Sequence, residues 1–329
     1  VNKIQNPNKN LTAVLSEEFN NPTPLINMFA GLVRSSKDIS KAIKALNEKV
    51  PLNQLNHLKR VRNNFILVCP SNDLKDISIE NFIESIVPEL SMTFDSFKEV
   101  PVPLYAPKLK RQHAELNKIW SCNFHPDSYL EKLASDNYFS NKDLKLHHLY
   151  MSLAFAAAKD LNPNKNVCVI VDPNIDSIVA VAIDNSIDHP IQHSAMVAID
   201  NVAKSQYGGA WDCKEKHCDC TLAGIDEKLL QHLKSKFPDV KFGAKQFKTK
   251  EDLHLDDKTN ADGPYLCTNY YVYMLREPCL MCAMALVHAR IKRLFYCFDN
   301  PTYGALKSRT MLHTVTSLNH HYEVFTGFL

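Results

Sequence analysis

The sequence predicts an α/β protein in which a small α+β domain precedes a larger three-layer α/β/α domain. The first reason is length, because 329 residues suffice for two domains that each bury a core. The second is element order, because β-rich runs alternate with helical apolar spacing in both halves. The third is composition: 45% hydrophobic and 22% charged residues are ordinary for a globular protein.

The N-terminal half predicts a β-α-β-α-β order over residues 23–102. Apolar residues recur at helical spacing in two segments, and β-rich runs surround them. The predicted strands are 25–33, 65–69 and 96–102, and the predicted helices are 36–50 and 77–90. This order indicates a small α+β domain that is ferredoxin-like in outline.

The segments flanking this domain predict less regular structure. Residues 1–22 are rich in Asn and Lys with few apolar anchors, which predicts a disordered or loosely attached tail. Residues 103–130 combine prolines, charges and isolated apolar anchors, which predicts a linker. The second domain would then occupy residues 131–329.

The C-terminal half predicts a β-β-α-β-α-β-α order, preceded by a helix at 144–159. The strands are 167–171, 178–183, 265–275 and 293–298, and the later helices are 193–205, one from 278 onward, and 310–317. Such an order gives one sheet with helices on both faces. Residues 206–263 interrupt the pattern, and we interpret them as an insertion in a surface loop, partly disordered.

Two cysteines at a helix start form the most informative motif. Pro278 suits the first turn of a helix, and apolar residues follow it. Cys279 and Cys282 lie three residues apart and therefore face the same way, so both thiols can reach one metal. His193 begins another helix that follows a strand, at the same end of the sheet. The alternative is a pair of buried core cysteines.

This ligand pattern resembles that of the zinc nucleobase deaminases. Residues 277–291, with Tyr303-Gly304-Ala305, are similar to the tRNA adenosine deaminase branch. The resemblance implies a cytidine-deaminase-like fold for residues 131–329 and a Zn²⁺ ion bound by His193, Cys279 and Cys282. The fourth ligand could be water, a nearby side chain or the terminal carboxylate of Leu329.

One position departs from the pattern of an active deaminase. The resemblance implies His-x-Glu at the first ligand, with the glutamate moving protons, but Ala195 occupies that place. A general acid–base group typically contributes about 10²–10⁴-fold to the rate. Asp200 lies two helical turns from His193, roughly 10 Å along the axis, and cannot substitute. We therefore expect a zinc site without catalytic residues.

With its long N-terminal extension and an H-L-K-R-V segment at 57–61, the chain resembles the non-catalytic subunits of eukaryotic heterodimeric tRNA adenosine deaminases. The resemblance implies a catalytic partner with an intact H-A-E motif. It also implies tRNA as the substrate, with the wobble adenosine converted to inosine, and an N-terminal domain that helps to hold tRNA. The expected location is the cytoplasm, the nucleus or both.

Two basic groups are candidates for tRNA contact, since Lys and Arg position nucleic-acid backbones without reading sequence. The alternative is ordinary solvated surface. The candidates are Lys59, Arg60 and Arg62 in the first group, and Lys108, Lys110 and Arg111 in the second. The net charge of only +2 means that any basic surface for RNA must be local.

Other functions receive less support. The chain has 8 glycines and no Walker A or G-x-G-x-x-G loop, which argues against a nucleotide-cradling loop. Its apolar runs are too short to cross a membrane. A second metal site is a weaker hypothesis, with ligands drawn from Cys213, His217, Cys218 and Cys220. Two rival functions remain open: an active free-base or nucleoside deaminase, and a zinc-stabilised tRNA or protein scaffold without an enzyme partner.

Overall fold

The computed structural model describes residues 9–74, 77–159, 165–206, 208–211, 222–245 and 266–329. The chain divides into two compact units. The N-terminal unit is Glu17–Leu133, and the C-terminal unit joins Val1–Ser16 to Ala134–Leu329. No helix in the described part of the chain combines the length and apolar character that a membrane span requires.

The N-terminal unit contains four strands and five helices among its described residues. They are α1 (Glu17–Asn20), β2 (Leu25–Val33), α2 (Ile39–Lys49), β3 (Val61–Arg62), β4 (Phe65–Pro70), α3 (Ile79–Ile86), β5 (Phe94–Pro103), α4 (Lys110–Ile119) and α5 (Ser128–Leu133). The strand β1 (Thr12–Ala13) precedes them and belongs to the C-terminal unit. Short 3-10 turns connect several of these elements.

The N-terminal sheet has the order β3-β4-β2-β5, with every neighbouring pair antiparallel. This is the ferredoxin-like β-α-β-β-α-β arrangement, so the predicted outline is confirmed, with one strand more than expected. The extra strand, β3, has two residues. Asn63 and Asn64 connect it to β4 with positive φ angles of 49° and 65°, as a tight hairpin turn requires.

Helices α2 and α3 cover one face of this sheet, and the segment with α4 covers the other. Leu116 and Trp120 pack against the sheet, and the Trp120 indole donates a 2.7 Å hydrogen bond to the carbonyl of Lys59. Leu58 pairs with Cys122 as an isolated bridge. Residues 103–130 are therefore wrongly predicted as a linker, because a few large apolar anchors attach an otherwise charged segment to the domain.

The described residues of the C-terminal unit form a seven-stranded sheet with the order β1-β11-β10-β9-β6-β7-β8. Its later elements are α6 (Asn141–Ala157), β6 (Val167–Asp172), β7 (Ser177–Ile183), α7 (Ser194–Ser205), α8 (Glu227–Lys236), β8 (Lys241–Phe242), β9 (Tyr271–Arg276), α9 (Leu280–His288), β10 (Arg293–Phe298) and β11 (Glu323–Thr326). Strands β9, β10 and β11 are mutually parallel, and β6 runs antiparallel to both of its neighbours.

Alternating side chains separate the two helical layers of this unit. On β10, Leu294 and Tyr296 join the core that contains α7 and α9. Phe295, between them, stacks on His147 of α6 at a centroid distance of 4.3 Å. Successive strand residues point to opposite faces, so α7 and α9 lie on one face and α6 on the other. This is the predicted three-layer α/β/α architecture.

The predicted tail is corrected within its described residues. Thr12 and Ala13 pair with Thr326 and Phe325, and Leu11 is buried. His148 contacts the carbonyl of Lys9 at 3.0 Å. Residues 9–16 are therefore attached to the C-terminal sheet, because one buried leucine and a short strand pairing suffice where the composition looks polar.

Two C-terminal predictions are also corrected. The predicted helix 310–317 is only a 3-10 turn at Leu312–Thr314, followed by extended backbone at Val315. Thr and Val are stiff at χ1 and weak helix formers, which favours this outcome. The insertion at 206–263 contains regular structure in its described part, because α8 buries Leu230 and Leu233 and β8 pairs with β7.

Candidate functional site

The structure brings the three predicted ligands to one point. His193 and Cys279 are the N-cap residues of α7 and α9, and Cys282 lies in the first turn of α9. Their donor atoms all lie within 4.8 Å of one another. Both N-caps have extended backbone, and the two helices pack on the same face of the sheet in contact with each other.

The site stabilises a thiolate at Cys279. A hydrogen bond with the Cys282 thiol is the largest cause lowering the pKa of Cys279 to about 5, and it outweighs burial, which acts in the opposite direction. The backbone N–H groups of Met281 and Cys282 and the His193 ring lower this pKa further. The same hydrogen bond, followed by burial, raises the pKa of Cys282. A metal ion would replace the proton between the two sulfurs.

The donor set fits Zn²⁺. Tetrahedral zinc with a sulfur ligand at about 2.3 Å and a nitrogen ligand at about 2.05 Å places the two donors about 3.6 Å apart. The Cys279 Sγ and His193 Nδ1 atoms are 3.6 Å apart. Thiolate and imidazole donors are also the ligands that zinc prefers. Within the described ranges, no Asp or Glu joins this group.

The position of the expected proton-moving residue is filled by a buried methyl group. Ala195 is 0% exposed and packs in the core between the sheet, α7 and α9. Asp200 is committed elsewhere: it pairs with Lys204 at 2.6 Å and accepts a 2.5 Å hydrogen bond from the N–H of Ala210. Among the described residues, the site thus has no carboxylate that would move protons for a bound substrate.

The surroundings of Leu329 give no contact with the three ligands. Phe328 packs against His148 of α6, with ring centroids 5.1 Å apart, on the sheet face opposite α7 and α9. Leu329 itself is 44% exposed. The terminal carboxylate as a fourth ligand therefore stays a prediction.

Sequence reasoning missed the importance of Glu277. Its side chain is 1% exposed, although it is a carboxylate. It accepts hydrogen bonds from the loop that follows β10, including the N–H groups of Asn300 and Leu306 at 3.0 and 2.8 Å. The signal available in the sequence was an acid at the end of an apolar strand, directly before Pro278 and Cys279.

The structure corrects the role of Arg60 among the candidate tRNA contacts. Arg60 is buried, and its guanidinium donates to the carbonyls of Val50, Leu67 and Val68 and to the side chain of Asn47. Burial lowers the pKa of Arg60 to about 10. With its donors directed at protein carbonyls, this side chain stabilises the N-terminal unit and is not available to a phosphate.

The other basic candidates lie at the two ends of α4. Arg62 donates to the carbonyls of Lys118 and Ile119, where α4 ends, and Lys59 is exposed beside them. At the start of the helix are three exposed cations, of which Lys108 pairs with Glu18 at 3.9 Å. These three are Lys108, Lys110 and Arg111. A helix of ten residues, about 15 Å long, therefore connects the two groups.

The hypothetical second metal site, drawn from Cys213, His217, Cys218 and Cys220, lies outside the described residues.

Comparison with known families gives two matches, one in each half of the chain. Residues 144–298 match the family described as "Cytidine and deoxycytidylate deaminase zinc-binding region". Residues 26–120 match the "tRNA-specific adenosine deaminase TAD3 N-terminal domain". The first match contains His193, Cys279 and Cys282, and the second contains α4.

Relatives resemble the chain over nearly its whole length. A Danio rerio protein named "Probable inactive tRNA-specific adenosine deaminase-like protein 3" is 30% identical over 96% of this chain and 90% of its own length. The Homo sapiens protein of the same name is 32% identical over 96% of this chain and 88% of its own. The Saccharomyces cerevisiae "tRNA-specific adenosine deaminase subunit TAD3" is 26% identical over 93% and 85%. The chain therefore belongs to the TAD3 family of tRNA-specific adenosine deaminase-like proteins.

Proposed function

We propose that this chain is the non-catalytic, zinc-binding subunit of a heterodimeric tRNA adenosine deaminase that converts the wobble adenosine at position 34 to inosine. The observation that carries the proposal is a complete His193–Cys279–Cys282 donor set beside a buried Ala195. The relatives named as inactive deaminase-like proteins and as a deaminase subunit support it. The chain contributes structure and tRNA contact, and a partner with an intact H-A-E motif performs the chemistry.

Zinc in this subunit has a structural role. His193 and the two cysteines would hold the ion, and the ion would join the start of α7 to the start of α9. Binding energy of this kind adds directly to the stability of the fold. The lowered pKa of Cys279 favours metal binding at neutral pH, because the thiolate is the form that ligates metals.

The single chain should release no ammonia from tRNA, from adenosine or from free nucleobases. The variant Ala195→Glu should remain inactive without a partner, because its carboxylate would enter a core position that is fully closed to solvent. Co-expression with an H-A-E deaminase should yield a stable complex that forms inosine in tRNA. Measurable deamination by the purified single chain would favour the alternative that the chain is an active deaminase. A chain that forms no complex with a deaminase would favour the alternative of a zinc-stabilised scaffold.

The partner should dock on an apolar surface at the edge of the metal site. Five exposed apolar side chains, which we call the apolar rim, belong to the segments that lead to, follow or contact the metal ligands: Ile187, Ile191, Leu280, Met281 and Tyr303. Leu280 and Met281 directly follow Cys279, and Tyr303 precedes Gly304, which pairs with Cys279. The carbonyl of Ile191 accepts the N–H of His193. Exposed apolar side chains concentrated in these segments favour an interaction site.

The N-terminal unit supplies tRNA contact through the exposed cations around α4. The triple variant Lys59→Gln, Lys108→Gln, Lys110→Gln should lower tRNA affinity by about tenfold at low salt and flatten its salt dependence. The matched control is Lys37→Gln, Lys41→Gln, Lys44→Gln, which removes the same charge at and just before α2, on the opposite face of the sheet. An equal loss of tRNA affinity in both triple variants would mean that the effect depends only on the net charge of the protein.

A further inference from the structure

We infer that Glu277 is a positioning residue for the metal site: its buried carboxylate holds the loop after β10 in the conformation that supports Cys279. This inference rests on the proposed function, because it concerns the retention of zinc. The loop comprises residues 299–308, and we call it the 299–308 loop.

The carboxylate is surrounded by donors from this loop. Oε1 accepts the backbone N–H groups of Leu306, Lys307 and Ser308 at 2.8, 2.6 and 3.0 Å. Oε2 accepts the N–H of Asn300 at 3.0 Å and the hydroxyl of Ser308. Three successive N–H groups directed at one oxygen form an anion-binding concavity, here occupied by the protein's own side chain.

Glu277 obtains its stabilisation from these dipoles rather than from a cation of the loop. Lys307 directs its ammonium group at Asp299, 2.8 Å away. Each of the five donors is an N–H or O–H group directed at this carboxylate, and hydrogen bonds to a carboxylate are stronger than those between neutral groups.

The same loop contacts the backbone of the metal-binding segment. The N–H of Ala305 donates to the carbonyl of Pro278 at 2.9 Å, and Gly304 pairs with Cys279. A side chain at Gly304 would collide with the Glu277 carboxylate, so only glycine allows the loop to approach this closely. The backbone of Cys279 is thus fixed from one side by α9 and from the other by a loop that Glu277 holds in place.

Groups that orient a metal ligand without touching the metal usually change metal affinity by about 10–100-fold when they are altered. Glu277→Gln preserves size and removes the charge, and its amide group would face the N–H of Asn300. The orientation of Cys279 should then relax, and zinc should leave faster. All five hydrogen bonds that this carboxylate accepts from described residues come from the 299–308 loop, so the substitution acts first on that loop.

Glu323→Gln provides the matched control. Glu323 is also a mostly buried carboxylate of the C-terminal unit, and it pairs with Arg293 at 2.5 Å. It lies at the start of β11, whereas Glu277 follows the end of β9; these parallel strands place the two acids at opposite ends of the sheet. Both variants lose one buried charge, but only Glu277 contacts the loop beside Cys279.

The experiment measures zinc release from the purified full chain to a colorimetric chelator in excess, together with thermal unfolding. Glu277→Gln should release zinc at least about tenfold faster than the unaltered chain, while Glu323→Gln stays within about twofold. Ser308→Ala keeps the carboxylate and removes one donor, and it should accelerate release by a smaller factor even if Glu277→Gln fails to fold.

Unchanged release in Glu277→Gln and Ser308→Ala would overturn the inference. Equal acceleration in Glu277→Gln and Glu323→Gln would also overturn it, because the effect would then follow general stability. A chain that holds no zinc before substitution would instead overturn the proposed metal site. The failure of the inference and the failure of the proposed function therefore give different results.

Discussion

Cys282→Ser is expected to remove zinc from the protein and to lower the free energy of unfolding of the C-terminal unit by at least about 3 kcal/mol. A serine hydroxyl does not ionise near neutral pH, so the site would keep only His193 and Cys279. Structural zinc supplies about 10–16 kcal/mol in small zinc-dependent domains, and we expect a smaller share here because this unit buries a large core of its own.

Metal analysis and thermal unfolding of the full chain test this expectation. Cys297→Ser is the matched control, since Cys297 is a half-buried thiol of β10 that does not belong to the donor group. A strong chelator should lower the melting temperature of the unaltered chain toward that of Cys282→Ser. The same chelator should leave Cys282→Ser itself unchanged. One zinc per chain in Cys282→Ser would contradict the assigned ligand set.

Leu280→Asp is expected to weaken the complex with the catalytic subunit by roughly 100-fold, equivalent to about 3 kcal/mol. The reason for this loss is desolvation, because a carboxylate buried in an apolar interface loses its water without gaining a partner. The fold should tolerate the change, because Leu280 is exposed and stands at the start of α9, where a negative charge suits the helix dipole.

The measurement is the affinity between purified subunits, followed by inosine formation in tRNA by the mixture. Met92→Asp is the control, because Met92 is an equally apolar and highly exposed residue that belongs to the N-terminal unit and not to the apolar rim. Zinc content should be the same in both variants. A complex of undiminished affinity with Leu280→Asp would place the partner on another surface.

The sequence alone predicts which residues converge at the metal site. It does not predict which of the basic side chains are buried and which are exposed. Pro278 marks a helix start, and the spacing of Cys279 and Cys282 fixes their common direction, so local rules suffice for two of the donors. Arg60 shows the opposite case. Its burial depends on carbonyls of Val50 and Val68, which only the folded sheet brings together.

The errors in the fold have a related cause. The average composition of residues 103–130 predicts a linker. The segment nevertheless packs on the domain, because a few of its residues are large and apolar. Trp120 and Leu116 stabilise the attachment of the whole segment, and the surrounding charges only keep its outer face in water. The strand β3 was missed because two residues give no period, and the neighbouring Asn63 and Asn64 were the remaining signal.

The pairing of β1 with β11 has a consequence for how the chain is made. Thr12 emerges from the ribosome long before its partner Thr326, because more than 300 residues separate them in the sequence. At roughly 5–20 residues per second, the early segment waits tens of seconds for its partner strand. During that time the N-terminal unit, Glu17–Leu133, can fold by itself, while the seven-stranded sheet cannot be completed. Removing residues 1–16 would leave β11 as an unprotected edge, and such chains should aggregate during synthesis.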